Sequence, residues 1–147
     1  MVEDIEAGID IAASPERVWT ALTGDADAWL APLAFAATSG QVFYMQPDAD
    51  RRAAGDTRGA THCQVEGVYP PSRLVFSWYY PETPKTRVEI TLAAAPGGTH
   101  VALRHLGWKQ FDPAQIRPVR DGLAAAWSAD VLPALKAAAE RPENLTV

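Results

Sequence analysis

Residues 118–139 read PVRDGLAAAWSADVLPALKAAA, and the spacing of their apolar members sets the architecture. Leu123, Trp127, Val131 and Leu135 recur every fourth residue, with Ile116, Val119, Ala134 and Ala138 on flanking positions. That pattern lines one apolar stripe along a helix. At about 1.5 Å per residue the stretch is roughly 30 Å long, enough to cross a small domain. Pro118 disfavours helical backbone at Arg117 and suits a first helical position, so the helix is expected to start at Pro118, with Asp112-Pro113 capping only a short turn. Pro133 lies inside it, deprives the Ala129 carbonyl of its donor and should kink it.

Upstream, the chain reads as strands with one apolar face. Ile5, Ala7, Ile9 and Ile11 alternate with Asp4, Glu6 and Asp10. Ser14-Pro15-Glu16 then supplies a cap, a proline for the first helical position and an early acid, opening a helix over 15–23 that buries Val18, Trp19 and Leu22 and stops at Gly24. A second short helix is expected around Trp29 and Leu30, before Pro32. Residues 41–46 form a strand of mixed pattern, and PDADRRAAGDTRG at 47–59 reads as an exposed polar loop, its Arg51-Arg52 pair a solvated tip or an anion site. Thr61, Cys63 and Val65 alternate with His62, Gln64 and Glu66. Pro70-Pro71-Ser72 forces a turn into Leu74–Tyr80, a strand apolar or aromatic on nearly both faces and so expected to be central or covered on both sides. After Pro81–Lys85, Val88, Ile90 and Leu92 face one way, and Pro96-Gly97-Gly98 turns into a strand whose Val101, Leu103 and His105 share a face. Arg104 is expected to pair with Glu89 on the outer face. The economical arrangement is a curved antiparallel sheet wrapped around the C-terminal helix, with two short helices after strand one: an α+β helix-grip domain over residues 1–147.

The totals narrow the function. A net charge of −5 argues against a nucleic-acid surface, which needs clustered lysine and arginine. No apolar run approaches the about 20 residues that cross a membrane, and MVEDIEAG lacks the basic start of a signal peptide. Cys63 is the single cysteine, which suits a reducing, cytoplasmic setting. His62 points to the opposite strand face, so Cys63 reads as a small buried residue rather than an activated thiol. No metal-ligand spacing, phosphate loop or nucleophile motif occurs, and no cofactor is expected.

Three stretches together, IDIAASPERVWTALTGDADAWLAP at 9–32, PPSRLVFSW at 70–78 and GGTHVALRHLGW at 97–108, resemble the bacterial proteins similar to the heat-shock-protein-90 ATPase activator domain (AHSA-type). That family lies in the START/SRPBCC superfamily, with the fold of the birch-pollen allergen, and the resemblance runs from Ile5 to about Ala139. It implies a deep apolar cavity between sheet and helix. Superfamily relatives bind lipids, sterols and hormones, cyclise polyketides or serve ring hydroxylases, so the fold alone selects no activity. Members often open the last helix with Gly-Trp; here Leu123 follows Gly122 and the tryptophan falls at Trp127, which changes the wall that the helix contributes.

Three readings follow. The first is a non-catalytic binder of a small hydrophobic or aromatic molecule, with Tyr44, Phe76, Trp78, Tyr80, Leu103, His105, Trp108, Leu123, Trp127 and Val131 as contacts and 47–59 with Pro81–Lys85 framing the mouth. The second is a cyclase or dehydratase in which His105, with Asp130 or a tyrosine, moves a proton inside the cavity; His105 equally suits a core histidine satisfied by a backbone or hydroxyl partner, and Asp130 equally suits the solvent edge of the helix. The third is a protein-interaction module, chaperone-associated or homodimeric, supported if Trp108 and Phe111 are exposed in one patch. Trp78 and Trp127 filling the cavity would weaken the first two.

Overall fold

A computed structural model of the chain describes residues 2–30 and 32–141; the ends of the 1–147 span and position 31 lie outside the described residues. Strand β1 (Ile5–Ile11) leads through Ser14, whose hydroxyl accepts from the Arg17 N–H, into α1 (Pro15–Gly24), with proline in the first turn as its sequence suggests. Val18 and Leu22 are fully buried, while Trp19 is partly so. The expected second helix shrinks to one 3-10 turn, Ala26–Ala28, because Pro32 follows at once with no N–H to extend a ladder. Trp29 is still anchored, its indole N–H donating to the Leu22 carbonyl at 3.1 Å.

The remaining strands are β2 (Val42–Met45), β3 (Thr61–Tyr69), β4 (Arg73–Tyr79), β5 (Thr86–Ala95) and β6 (Gly98–Leu106). They form one antiparallel sheet in the order β1-β6-β5-β4-β3-β2, so β4 is interior as its two apolar faces require. A bulge between Val65 and Gly67 bends β3, and the Tyr69 ring lies over Gly67 where a Cβ would come within 2.8 Å of it. On the outer face Glu89 and Arg104 stand in register, yet they do not pair with each other. Arg104 reaches Glu6 (3.7 Å) and Asp4 (3.9 Å) across β1, and Glu89 takes Arg73 from β4.

The 47–59 segment is more ordered than its polarity suggests. It holds α2 (Ala49–Ala53), capped by Asp48, whose carboxylate accepts from the Asp50 and Arg51 N–H groups. Buried Gln46 ties it down: its amide donates to the carbonyls of Asp56 (2.9 Å) and Arg58 (2.8 Å), and its oxygen accepts from Asp48 N–H.

The C-terminal helix starts at Pro113, five residues earlier than expected. Asp112 caps it, accepting from Ala114 N–H, and Pro113 takes the first position. Pro118 is tolerated inside because the carbonyl it leaves without a donor belongs to Ala114, an exposed residue that water can serve. Segment α3 (Pro113–Ala126) passes into a π turn, Trp127–Val131, and then α4 (Leu132–Glu140). The effect of Pro133 therefore appears one turn upstream: Leu132 N–H reaches back to the Trp127 carbonyl, five residues away. The extra residue moves the stripe, so Leu132 rather than Val131 is buried with Trp127 and Leu135. The far end is clamped by Glu140, which accepts from Ala12 N–H and pairs with Lys136, and by Arg17, which donates to the Ala139 carbonyl. This is the helix-grip architecture.

Candidate functional site

The inner face of the sheet ends in Trp78 on β4 and Thr86 on β5, joined by the exposed 80–85 hairpin. Opposite, α3 presents Ile116, Val119 and Leu123 at helical spacing, and the 3-10 turn Trp108–Gln110 after β6 brings Trp108 between them. These walls enclose a cavity of about 210 Å³ whose lining is almost wholly apolar. Among its lining residues there is no Asp, Glu, His, Lys, Arg or Cys. Tyr80 and Val119, 50% and 45% exposed, form its rim.

Directly behind lies a satisfied polar chain. Trp127 Nε1–H donates to His105 Nδ1 at 3.2 Å, which makes Nδ1 the acceptor and leaves the proton on Nε2. Nε2–H then donates to Thr86 Oγ1 at 2.8 Å, and that hydroxyl donates to the Trp78 carbonyl at 2.6 Å. The Trp108 indole N–H is spent on the His105 carbonyl. Trp78, Trp108 and Trp127 surround the imidazole with centroid separations of 5.7, 4.7 and 6.1 Å. Burial in this aromatic cage pushes the His105 pKa down to about 3, so the ring is neutral at physiological pH. Both ring nitrogens are occupied and the side chain has no exposed surface.

The family model described as "Activator of Hsp90 ATPase homolog 1-like protein" matches residues 12–137. The chain belongs to this family. No curated protein matches it. Among solved structures, protein MLL2253 from Mesorhizobium loti is 25% identical with a TM-score of 0.78, over 96% of this chain and 99% of that one. The Aha1 dimer from Colwellia psychrerythraea is similar at 20% identity and TM-score 0.68, over 97% and 100% of the two chains. DynU16, a protein in the dynemicin biosynthetic locus, aligns at 20% identity and TM-score 0.73 over 96% of this chain and 48% of its own.

Within this activator-homologue fold the expected contact residues separate into three groups. Trp78, Tyr80, Trp108 and Leu123 line the cavity. His105 and Trp127 stand behind it, and Phe76 and Leu103 are fully buried in the core, with Val131 half-buried further along the helix. Tyr44 is a correction: it points to the outer face, its ring against His62 at 5.1 Å. Of the two positions open to Asp130 the structure takes the solvent edge: it lies exposed on the π turn, apart from His105, which removes it as a catalytic candidate. The proton-transfer reading required a second titratable group within reach of His105; its partners are instead a threonine and a tryptophan. Trp108 and Phe111 lie tilted with ring centroids 6.2 Å apart, but Trp108 is buried, so no exposed patch forms there. Trp127 does fill the deep interior, packed on Trp78 at 5.5 Å, and leaves the shallower cavity open.

Phe111, Ile116, Val119 and Thr86 were not expected as lining residues. The i, i+3, i+7 spacing of Ile116, Val119 and Leu123 was the available signal, and starting the helix at Pro118 left Ile116 outside it. Burial pushes the Cys63 thiol pKa up, which leaves it unreactive. No group of three or more metal-ligating side chains converges among the described residues, and no helix there is long and apolar enough to cross a membrane.

Proposed function

We propose that the chain, acting as one domain, is a non-catalytic carrier or sensor of a small, flat apolar molecule held between Trp78, Trp108 and Leu123. The observation that carries this reading is the cavity itself: an apolar hollow with a half-exposed rim and no carboxylate, imidazole, amine, guanidinium or thiol on its walls. His105, the imidazole behind the cavity, has both nitrogens engaged within the protein. An apolar cavity of about 150 Å³ is enough to hold benzene, so one of this size suits a molecule of one or two rings. The place of DynU16 in a biosynthetic locus supports a small organic molecule as ligand.

The neutral two-ring probe naphthalene-2-carboxamide tests the reading. Its thirteen or so heavy atoms predict a dissociation constant on the order of 0.1 mM, read by calorimetry and by movement of the Trp78 and Trp108 indole N–H resonances. Leu123→Trp places an indole in the cavity and should abolish binding with little change in melting temperature, because position 123 is only half-buried. Binding of the probe that persists unchanged in a folded L123W protein would place the ligand elsewhere and end this proposal.

A further inference from the structure

A second hollow, of about 270 Å³, adjoins the apolar cavity and shares Trp78 and Tyr80 with it as a common wall. Its other walls are Leu30, Met45 and Thr61 together with Gln46 and Arg52. Gln46 is already committed, both ends of its amide bound to the backbone of the 47–59 segment. Arg52 is different. One N–H donates to the Gln46 carbonyl at 2.8 Å, which fixes the side chain at the edge of the hollow. A guanidinium carries five N–H donors, and no carboxylate pairs with this one among the described residues. Its neighbours do not share that state: Arg51 faces Asp48, Arg58 holds Asp56 in a forked pair, and Arg73, Arg87 and Arg104 each face a glutamate on the outer sheet. In a chain of net charge −5, an arginine left without an acid and half-buried beside an apolar wall is a ready partner for an external anion.

We propose that the ligand is an apolar one- or two-ring carboxylate, its rings against Trp78 in the first cavity and its acid group paired with Arg52 across Tyr80 in the second. This rests on the binding reading above and adds the chemical class of the ligand. The planar fork of arginine matches a carboxylate through two parallel hydrogen bonds. Partial exposure of Arg52 limits the gain to roughly five- to tenfold in affinity.

The test compares 2-naphthoate, ionised at neutral pH, with naphthalene-2-carboxamide by calorimetry at about 20 mM and about 300 mM salt. Wild-type protein should prefer the naphthoate roughly five- to tenfold at low salt, and less at high salt. Arg52→Gln should remove the preference by weakening naphthoate binding more than carboxamide binding, and Arg51→Gln, whose side chain lies outside the hollow, should keep it. Arg52→Lys, which retains the charge, covers the case in which R52Q unfolds and should keep part of the preference. Equal affinity for the two probes, or a preference that survives R52Q, overturns the role of Arg52 while the apolar-cavity reading stands. Failure of the wild-type protein to bind either probe overturns both.

Discussion

Acidification below about pH 6.5 should destabilise this protein through His105. Unfolded, the imidazole titrates near 6.5; folded, burial holds it at about 3. Between those values the unfolded chain takes up a proton that the folded chain refuses, so stability falls as the pH falls. The contribution is complete above pH 6.5 and drains away toward pH 3. Linkage puts the loss at about 2 kcal/mol by pH 5 and about 3 kcal/mol by pH 4, relative to pH 8. For a domain whose whole stability is about 5–15 kcal/mol, that is a large share. No charged side chain enters the account: the ring neighbours are three tryptophans, and the hydrogen-bond partners are Trp127 and Thr86.

The assay is urea unfolding followed by tryptophan fluorescence at pH 8 and pH 5, for wild type and His105→Gln. The other titrating groups are common to both proteins, so the difference in pH dependence isolates His105. The wild type should lose about 2 kcal/mol more than the variant over this interval. Thr86→Val separates burial from hydrogen bonding: it leaves Nε2–H without an acceptor and should cost about 1–3 kcal/mol at pH 8, yet keep the pH dependence. Nitrogen NMR of the imidazole gives an answer even if H105Q fails to fold, and should show one tautomer, protonated at Nε2, from pH 8 down to pH 4. Equal pH dependence in wild type and H105Q, or an imidazole titrating near 6.5 in the folded protein, would refute the reasoning.

Two backbone predictions follow from close contacts and missing donors. Gly98→Ala would put a Cβ 2.0 Å from the Ile11 carbonyl and 3.0 Å from Ala13 N; both are backbone atoms, so β1 must move away from the β5–β6 turn, and we expect a loss of 3 kcal/mol or more by urea titration (on the order of the larger single-site effects). Pro118→Ala restores a donor for the Ala114 carbonyl in an exposed stretch of α3 and should stabilise by about 1–2 kcal/mol once the looser unfolded chain is counted; a lower denaturation midpoint would show that the proline ring itself is needed.

The parts of the fold that could be read in advance were those where alternation has a polar partner. Val88, Ile90 and Leu92 alternate with Glu89 and Thr91, and Val101, Leu103 and His105 with the small Ala102 and the charged Arg104, so which face is inward is unambiguous, and all six are buried. In Val42-Phe43-Tyr44-Met45 both faces are apolar, and nothing in the sequence decides whether Tyr44 or Phe43 points inward. The structure decides it through Phe43, which packs edge-on against Phe76 at 5.3 Å and Phe35 at 5.0 Å. The Glu89–Arg104 pairing failed for another reason. Register was readable, but each long side chain had a second partner within reach on the next strand. Asp130, one residue from the apolar stripe, suited either the cavity wall or the solvent edge, and the π turn at Trp127–Val131 leaves it on the solvent side.

That π turn also explains why the cavity lies under the front of the helix. Beyond it, Leu132, Leu135, Ala138 and Ala139 are buried, and the end is fastened to Ala12 and Arg17. Before it, α3 has no fully buried residue, although Ile116, Val119 and Leu123 form a continuous apolar face. Trp127 stands at the boundary, wedged on Trp78 and held by His105, and fixes how closely the helix can approach the sheet. With the back half packed down and an indole as spacer, the front half is left above an unfilled space. Closing that space with more protein would have required larger side chains at 116, 119 or 123. Apolar surface kept at a half-open rim leaves about 25 cal/mol per Å² to be gained by whatever molecule covers it.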